Sequence, residues 1–458
     1  MNEILGEMMK TMERREIIGA LLLVITLLAI VAPAGAAVTI SPTGGDDTAL
    51  IAGAISSAAS DDHIVILNPG TYLAHDIVVP VAVTIRADTA NGHGPADTII
   101  DAQSLGRIFD AGNNALAIDN LTLQNGNASI DSYSGCGGAI FVYHGSVVVT
   151  SSIISNCRAG DSFGGGYGGA IFTFFDGSGT VRFCRLIGNY APFEGDTFFG
   201  YGPITAPDNW WGSNAGPSSG DLYGATAPTW LRLGITADPA AITTGETSAI
   251  RANLTYNNIG ADTSGSGTVP DGIPAAFATS DGSVSPGSAT TVSGIASGTF
   301  TPSSSGTATV SVTVDGVTVS VPVEVTPPPV TALETDPGSA STVYAGLDGA
   351  GVYRSTDYGG SWTQLPLPPG ANTYIRALAV FRPGGGTDTT VYAGTYGGGV
   401  YRSTDSGDTW TSCSALPYLN VLSLVTSTDG RLYAGTEGGV YTSTDGCDSW
   451  LAVNEGLP

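Results

Sequence analysis

The sequence predicts an all-β chain in three parts: a parallel β-solenoid, a β-sandwich and a set of propeller-type blades. Short runs rich in Val, Ile and Thr, separated by Gly, Asn, Asp and Pro, are typical of strands and turns. The runs recur about every 20–30 residues in 37–231, about every 8–12 in 232–326, and in blocks of about 40–48 in 327–458. The period distinguishes the three folds, because it sets how many strands one repeat contains.

Charge excludes several classes of partner. The 458 residues include 40 acidic residues and 15 Lys or Arg, for a formal net charge of −25. This field repels phosphate backbones and anionic lipids, so a nucleic-acid partner is disfavoured. The histidines and cysteines show no zinc-ligand spacing. We therefore expect no resident cofactor, with Ca²⁺ the ion that so acidic a chain would attract.

The first 36 residues have the pattern of a signal peptide. An apolar run over 17–31 follows Arg14 and Arg15, and Ala34-Gly35-Ala36 supplies the small residues of a cleavage site. We expect export, cleavage and no membrane span in the mature chain. An uncleaved anchor over 17–38 is the alternative.

Residues 37–231 open with a short helical pattern over 50–58 and continue as β-rich runs. These runs lie at 64–67, 81–85, 97–101, 116–123, 139–142, 146–154, 170–174 and 180–187. Gly-Gly-Ala-Ile-Phe at 137–141 recurs at 168–172, where paired glycines mark a tight corner. A repeat of this kind predicts parallel coils that stack to bury their apolar side.

This part resembles the right-handed parallel β-helix proteins of the pectin-lyase-like kind. The resemblance rests on the opening segment 48–72, on the Gly-Gly-Ala-Ile repeats, and on the Asn-Trp-Trp-Gly and Gly-Pro motifs within 208–217. The repeats are also similar to those of adhesin-like surface proteins of archaea. The resemblance implies a fold and a surface role for a prokaryotic, archaeal protein.

Residues 232–326 predict an Ig-like β-sandwich. Two valine-rich runs, 307–314 and 317–321, flank Asp315-Gly316, a strong signal for a two-residue hairpin turn. Segments 272–286 and 296–316 resemble the Ig-like domains of invasin and intimin-type adhesins. That resemblance implies a spacer and binding module.

Residues 327–458 contain three copies of a strand-rich repeat that ends in Ser-x-Asp-x-Gly-x-Ser/Thr-Trp. The pattern resembles the Asp-box of sialidase-like and sortilin-like β-propellers, which implies blades whose Asp accepts turn N–H groups and whose Trp packs between blades. Cys447 replaces the glycine in the third copy. The motif residues, expected to be structural, are Ser355, Asp357, Gly359, Trp362, Ser403, Asp405, Gly407, Trp410, Ser443, Asp445 and Trp450.

Three blades are too few to close a propeller, for which about four is the minimum. The sequence leaves three alternatives: further blades beyond the given chain, self-association through blades of other chains, or an open stack.

The five cysteines of an exported chain allow disulfides. Cys136 and Cys157 would stack if one coil were about 21 residues long. Cys413 and Cys447 form the second plausible pair, and five buried thiols are the alternative.

Aromatic residues concentrate between 133 and 201 and give the best functional lead. Tyr167, Phe174, Phe175 and Tyr190 are predicted to form a face that stacks on sugar rings or on a surface protein. The alternative places the aromatics, including Phe141 and Phe172, inside the coils.

We therefore predict a secreted or cell-surface, non-catalytic protein that adheres to carbohydrate or to a surface protein. A structural envelope component is one alternative. A β-helix carbohydrate-active enzyme, a lyase or glycoside hydrolase, is the other. The candidate residues for a lyase would be Arg158, Arg182 and Arg185, with Asp161 and Asp176, whereas the spacing of the carboxylates picks out no pair for a glycoside hydrolase.

Overall fold

The computed structural model describes residues 37–58, 63–128, 135–160, 166–382, 389–413 and 415–457. The predicted signal peptide, 1–36, lies outside these residues. No helix within the described part of the chain is long and apolar enough to span a membrane. The described chain is nearly all β, with one α-helix, α1 (Thr48–Ser57), and one 3-10 turn, η1 (Thr89–Asn91).

The first part of the chain is a parallel β-helix. Its strands are β1 (Val38–Ile40), β2 (Ile64–Leu67), β3 (Gly70–Leu73), β4 (Ile77–Val78), β5 (Val83–Ala87), β6 (Thr98–Asp101), β7 (Phe109–Gly112), β8 (Ala115–Asp119), β9 (Thr122–Gln124), β10 (Ile140–Val142), β11 (Ser146–Thr150), β12 (Ile153–Ser155), β13 (Ile171–Thr173), β14 (Ser178–Arg182), β15 (Arg185–Ile187), β16 (Phe198–Thr205) and β17 (Leu222–Thr226).

The coils stack in two sheets. One sheet has the order β1-β2-β5-β8-β11-β14-β16-β13-β10-β7-β4, with β17 added beside β16, and the other has the order β15-β12-β9-β6-β3. All of these pairings are parallel, and inward Val, Ile and Leu side chains form one continuous core. At the first end, α1 turns Ile51 and Ile55 into this core, because residues four apart share one helix face.

The coil length explains why the predicted Cys136–Cys157 disulfide is wrong. Ile140 pairs with Ile171 and Ser146 with Ser178, so one coil here spans about 31 or 32 residues rather than 21. Cys157 therefore stacks beside Asn189, whose Oδ1 accepts its backbone N–H at 3.1 Å. Cys136 instead packs with an aromatic cluster that is separate from the main core. Both thiols are buried and neither forms a disulfide.

The second part is a two-sheet β-sandwich. Its strands are β18 (Leu231–Asp238), β19 (Ala241–Thr243), β20 (Ser248–Asn257), β21 (Pro274–Thr279), β22 (Ser283–Ser285), β23 (Ser288–Thr290), β24 (Ile295–Thr301), β25 (Gly306–Val314) and β26 (Val317–Thr326). The sheet orders are β18-β20-β24-β22 and β19-β26-β25-β21-β23. Asp315 and Gly316 form the predicted turn between β25 and β26, both with positive φ, as a type I′ hairpin requires.

The third part contains three propeller-type blades, each a four-stranded antiparallel meander. Blade 1 comprises β27 (Val330–Asp336), β28 (Ser339–Leu347), β29 (Gly351–Ser355) and β30 (Thr363–Gln364). Blade 2 comprises β31 (Ile375–Phe381), β32 (Thr390–Thr395), β33 (Gly399–Ser403) and β34 (Thr411–Ser412). Blade 3 comprises β35 (Val421–Thr426), β36 (Leu432–Thr436), β37 (Gly439–Ser443) and β38 (Leu451–Ala452).

Contacts within the chain divide it into two compact units. Of the described residues, those within 37–240, 248–300 and 309–323 belong to the first unit, and those within 241–247, 301–308 and 324–457 belong to the second. The division passes through the β-sandwich, whose strands contribute to both units. The predicted domain boundaries at 231 and 326 stay a prediction.

Candidate ligand-binding surface

A column of aromatic rings lies along strands β10, β13, β16 and β17, on the side of these strands opposite the main core. Its middle rings, Phe172 and Phe199, are buried at 3% and 2% exposure, whereas Tyr223 at its end is exposed. Side chains alternate across a strand, so Ile140 and Val142 enter the core while Phe141 points outward. Parallel pairing then places Phe172, Phe199 and Tyr223 beside it in successive coils. The column is therefore a consequence of register, repeated once per coil.

The rings of this column stack closely. Ring centroids are 5.6 Å apart for Phe141 and Phe172, 5.4 Å for Phe172 and Phe199, and 4.5 Å for Phe199 and Tyr223. The interplanar angles of these three pairs are 9°, 14° and 9°, so the rings are nearly parallel. Such pairs stabilise each other by about 0.5–1.5 kcal/mol beyond the burial of their area.

Exposed aromatic residues surround the column. Phe175 is 52% exposed and Tyr201 is 62% exposed, although both contact other rings. Tyr201 lies nearly perpendicular to Phe172, at 82°, and so is not part of the stack. We call the following residues the aromatic face: Phe141, Tyr143, Phe172, Phe174, Phe175, Phe199, Tyr201 and Tyr223.

Of the four predicted binding residues, the structure places two on the aromatic face, one at its border and one beside an arginine. Phe174 and Phe175 belong to the aromatic face and contact each other at 4.3 Å. Tyr167 borders it, 4.6 Å from Phe199. Tyr190 instead lies beneath the Arg158 guanidinium, at 5.4 Å. The aromatic residues at 133 and 163 lie outside the described residues.

Sequence reasoning missed the aromatic column itself. The alternative of core packing for Phe141 and Phe172 holds in part: Phe172 is 3% exposed and Phe141 is partly buried, but they pack with Phe199 in a cluster that is separate from the main core. The available signal was the position of each Phe directly after the inward Ile of its Gly-Gly-Ala-Ile-Phe repeat. Tyr223 carries no repeat motif, and only the pairing of β17 with β16 places it in the column.

Charged groups border the aromatic face at two ends. The Arg107 guanidinium lies 4.9 Å from the Phe141 ring and donates hydrogen bonds to the buried carbonyls of Cys136 and Gly137. At the other edge His144 stacks on Phe175 and forms an ion pair with Asp176. The hydrogen bond from His144 lowers the pKa of Asp176. The exposed charge at this edge therefore includes a carboxylate.

The arginines considered for lyase chemistry have separate structural partners. Arg182 pairs with the buried Asp208 at 3.0 Å. Arg185 donates to Asp315 through Nε at 2.9 Å, and Trp210 Nε1 donates to the same carboxylate at 2.8 Å. Burial raises the pKa of Asp315, but hydrogen bonding to Arg185 outweighs it and the pKa is lowered. Asp161 lies outside the described residues.

Metal ligands do not converge in the part of the chain that the structure describes. No group of three or more His, Cys, Asp or Glu side chains there is arranged to hold an ion. The expected affinity for Ca²⁺ stays a prediction.

The repeat turns, residues 355–362, 403–410 and 443–450, share one hydrogen-bonded geometry. In the first, Ser361 donates to Asp357 through its backbone N–H at 2.8 Å and its hydroxyl at 2.7 Å. Ser355 Oγ accepts the Gly359 N–H at 2.8 Å. The hydrogen bonds from Ser361 lower the pKa of Asp357 to about 2. These residues close a turn, and in the third copy the Trp450 Nε1 is buried without a hydrogen-bond partner among the described residues.

The glycine position of the Ser-x-Asp-x-Gly motif requires a left-handed backbone. Gly359 and Gly407 have φ of 88° and 102°, and Cys447 adopts φ of 84° at the same position. Cys447 forms a disulfide with Cys413, with 5.4 Å between Cα atoms. A non-glycine residue there is strained, and the covalent bond offsets this local cost.

The three tryptophans of the repeat turns do not share one environment. Trp410 is 7% exposed and packs with blade-1 residues, and the partly buried Trp450 packs with blade-2 residues. The expectation of packing between blades is wrong for Trp362, which is 42% exposed. The reason is its place in blade 1, which has no preceding blade among the described residues.

No family model and no curated protein sequence matches this chain. Solved structures with partial similarity include YCF48 bound to D1 peptide, at 21% identity and a TM-score of 0.23, covering 32% of this chain and 48% of that one. The GH74 xyloglucanase from Xanthomonas campestris is 16% identical, with a TM-score of 0.24 and coverage of 48% and 39%. Yersinia pseudotuberculosis adhesin InvE is 16% identical, with a TM-score of 0.19 and coverage of 46% and 57%.

The chain thus spans less than two thirds of each of these three proteins. At these identities and TM-scores, the matches carry no information about its ligand or activity.

Proposed function

We propose that this chain is an exported, adhesin-like surface protein that binds a neutral polysaccharide through the aromatic face of its β-helix. The observation that carries the proposal is the group of exposed rings, Phe175, Tyr201 and Tyr223, which packs on the partly or fully buried rings of the aromatic column and its neighbour Phe174. Monomeric proteins rarely expose a contiguous apolar patch of this kind unless it binds something. The archaeal origin implied by sequence resemblance stays a prediction.

The chemistry of the face favours sugars. A pyranose ring presents C–H groups on a flat surface, which pack on an aromatic ring while its hydroxyls remain solvated. Stacked rings such as Phe172 and Phe199 hold the exposed Tyr201 in place through their contacts with it. Little side-chain entropy is then lost on binding, because each ring has few rotatable bonds.

Charge favours a neutral ligand over a uronate polymer. The formal net charge is −25, and Asp176 stands at the edge of the aromatic face. A polyanion approaching this surface would be repelled over about 8–10 Å at physiological salt. This argument also opposes the lyase alternative, which requires an anionic substrate.

Export is supported by two features of the chain. Residues 17–36 have the pattern of a cleaved signal peptide, and Cys413–Cys447 forms a disulfide, a bond that persists mainly outside the cytosol. Both support an oxidising extracellular location.

The test uses the 37–458 chain and immobilised cellulose, xylan, mannan, chitin and polygalacturonate. We expect retention on one or more neutral polymers, weaker retention on polygalacturonate, and no release of reducing or unsaturated ends with or without Ca²⁺. Retention on polygalacturonate alone, or product release, would overturn the proposal.

Variants locate the binding surface. Phe175→Ala and Tyr201→Ala remove exposed rings of the aromatic face, and each is expected to weaken binding about 2- to 10-fold. Tyr256→Ala is the matched control, because Tyr256 is an exposed tyrosine of the sandwich strand β20. Equal losses in all three variants would place the binding surface elsewhere.

A further inference from the structure

The contact between neighbouring blades is repeated twice within the chain. Blade 1 presents Tyr344, Val352 and Leu365 to blade 2, whose Leu378 and Trp410 complete the same buried cluster. Blade 2 presents Tyr392, Val400 and Cys413 to blade 3, whose Leu424 and Trp450 occupy the equivalent places. Each blade therefore has a trailing face that receives the next blade and a leading face that docks on the previous one.

The outer leading face, on blade 1, is uncovered. Strand pairing makes Leu333 the equivalent of Leu378, since they pair with Ala345 and Ala393 in the corresponding strands. Leu378 is 3% exposed, whereas Leu333 is 61% exposed. Val330 and Trp362 are exposed in the same way, although Ile375 and Trp410 are buried. The apolar surface is present, but nothing in the described chain packs on it.

The outer trailing face, on blade 3, is uncovered as well. Val425 and Val453 are exposed, whereas their equivalents Ala379 and Leu365 are buried. Tyr433 and Val440 are only partly buried, whereas Tyr344 and Val352 are fully buried. Tyr433 and Val440 repeat the residue types of the covered faces, whereas Val425 is more apolar than its equivalents Glu334 and Ala379.

One equivalent ion pair joins the neighbouring blades at each of the two internal contacts. The two outer faces lack the charged residues of this pair. Arg354 of blade 1 reaches Asp408 of blade 2 at 3.0 Å, and Arg402 of blade 2 reaches Asp448 of blade 3 at 3.6 Å. Blade 3 has Thr442 in place of the arginine, and blade 1 has Gly360 in place of the aspartate. Joining the outer faces would therefore leave no unpaired charge from this set.

We propose that the trailing face of blade 3 binds the leading face of blade 1 in a second copy of this chain. The three described blades of two copies, joined reciprocally, make six blades, within the range of about four to eight that closed propellers use. Both contacts continue the interface already formed inside each chain, and a twofold ring leaves no blade edge open. This inference is independent of the proposed glycan binding.

The existing disulfide supplies a direct test. Cys413 and Cys447 link blade 2 to blade 3, at positions equivalent to 365 and 407 between blades 1 and 2. The equivalent positions on the outer faces are Val453 and Gly359, and Gly359 has φ of 88°, close to the 84° of Cys447. In the proposed ring, Val453→Cys of one copy would meet Gly359→Cys of the other.

The experiment mixes the two single variants of the 37–458 chain under oxidising conditions. We expect a covalent dimer that is absent in reducing gels, with mass spectrometry showing a link between positions 359 and 453. A mixture of Val453→Cys with Tyr256→Cys, which lies on the sandwich, is the control. No 359–453 link, or equal cross-linking in both mixtures, would overturn the proposal.

Sedimentation measures the same contact without cross-linking. The unmodified chain is expected to be a concentration-dependent dimer, and Leu333→Arg is expected to raise its dissociation constant about tenfold or more, because the arginine would be buried unpaired. An unchanged circular dichroism spectrum would show that this variant is folded. A chain that stays monomeric, or that forms open series of higher oligomers, would contradict a closed ring.

Discussion

Three aspartates illustrate what a single residue contributes in this protein. Asp357, Asp405 and Asp445 each accept hydrogen bonds from the backbone and the hydroxyl of a residue four positions later. These hydrogen bonds lower the pKa of each carboxyl to about 2. The motif is therefore held by ionised carboxylates on the protein surface.

The sign of this shift predicts how the blades respond to acid. The folded pKa of about 2 lies below the reference value of 3.8, so the carboxylates stabilise the folded state above pH 4, and this contribution is lost as the pH falls towards 2. The triple variant Asp357→Asn, Asp405→Asn and Asp445→Asn should be less stable at pH 5 and show a flatter decline between pH 4 and 2. Thermal unfolding across this range measures both, and parallel curves would refute it.

Cys447 shows which properties of a single residue follow from the sequence and which depend on the tertiary structure. Its place in the motif predicts a glycine conformation, and the structure has φ of 84° there. The sequence offers Cys413 as a plausible disulfide partner, and the structure has the Cys413–Cys447 bond. Local backbone geometry follows from the motif, whereas the pairing depends on how two blades pack.

Glycine corners control the β-helix at the scale of its elements. Gly137, Gly168 and Gly195 all have φ between 65° and 68° and precede the strands β10, β13 and β16. A Cβ at Gly168 would lie 2.4 Å from the Ile171 carbonyl oxygen. Both the backbone angle and the lack of space therefore exclude a side chain at this corner. The corner in turn sets the start of the strand that carries each outward Phe.

Gly168→Ala is therefore expected to destabilise the β-helix more than Gly112→Ala. Gly112 also has positive φ, at 53°, but a Cβ there would meet only Asp110 Oδ1 at 3.8 Å. We expect a loss of about 1–2 kcal/mol in the free energy of unfolding for Gly112→Ala. Gly168→Ala should lose about 1–3 kcal/mol more, because the clash forces the strand to shift. Urea unfolding followed by circular dichroism compares the two, and equal losses would show that the space at Gly168 is unimportant.

The pairing of Arg185 with Asp315 operates at the scale of the whole molecule. It joins strand β15 of the β-helix to the β25–β26 turn, 130 residues away in sequence. The side chains of Arg185 and Asp315 are 17% and 12% exposed, so little solvent screens the pair. Trp210 donates to the same carboxylate, which ties the Asn-Trp-Trp-Gly motif to this contact.

Asp315→Asn is expected to reduce the free energy of unfolding by about 3 kcal/mol, because it leaves the Arg185 guanidinium largely buried without a countercharge. Asparagine tolerates the positive φ of this turn position, so the backbone is held constant. Asp408→Asn serves as the control: its carboxylate is 66% exposed, and its pair with Arg354 should contribute about 1 kcal/mol or less. Chemical denaturation of both variants measures the difference, and a loss at Asp315 as small as that at Asp408 would contradict the prediction.

Sequence by itself determined the all-β class, the three kinds of repeat and the turn residues, but not the length of one β-helix coil. These features are local: alternation, glycine at positive φ and Asp-Gly at a hairpin are dictated within a few residues. The two aromatic residues Phe174 and Phe175 were also found this way, because aromatics concentrate visibly in that stretch.

Only the tertiary structure decided which distant residues meet. The outward column from Phe141 to Tyr223, the partner of Arg185 and the separation of Cys136 from Cys157 all depend on coil length and strand register. A coil of about 31 residues rather than 21 changes every such neighbour, because each residue then pairs with a different residue of the next coil. The Gly-Gly-Ala-Ile-Phe repeat already has this spacing in the sequence, but the strand pairing was needed to show that it is the coil length. Exposure of Trp362 has the same origin, since burial of a motif residue depends on whether another blade covers it.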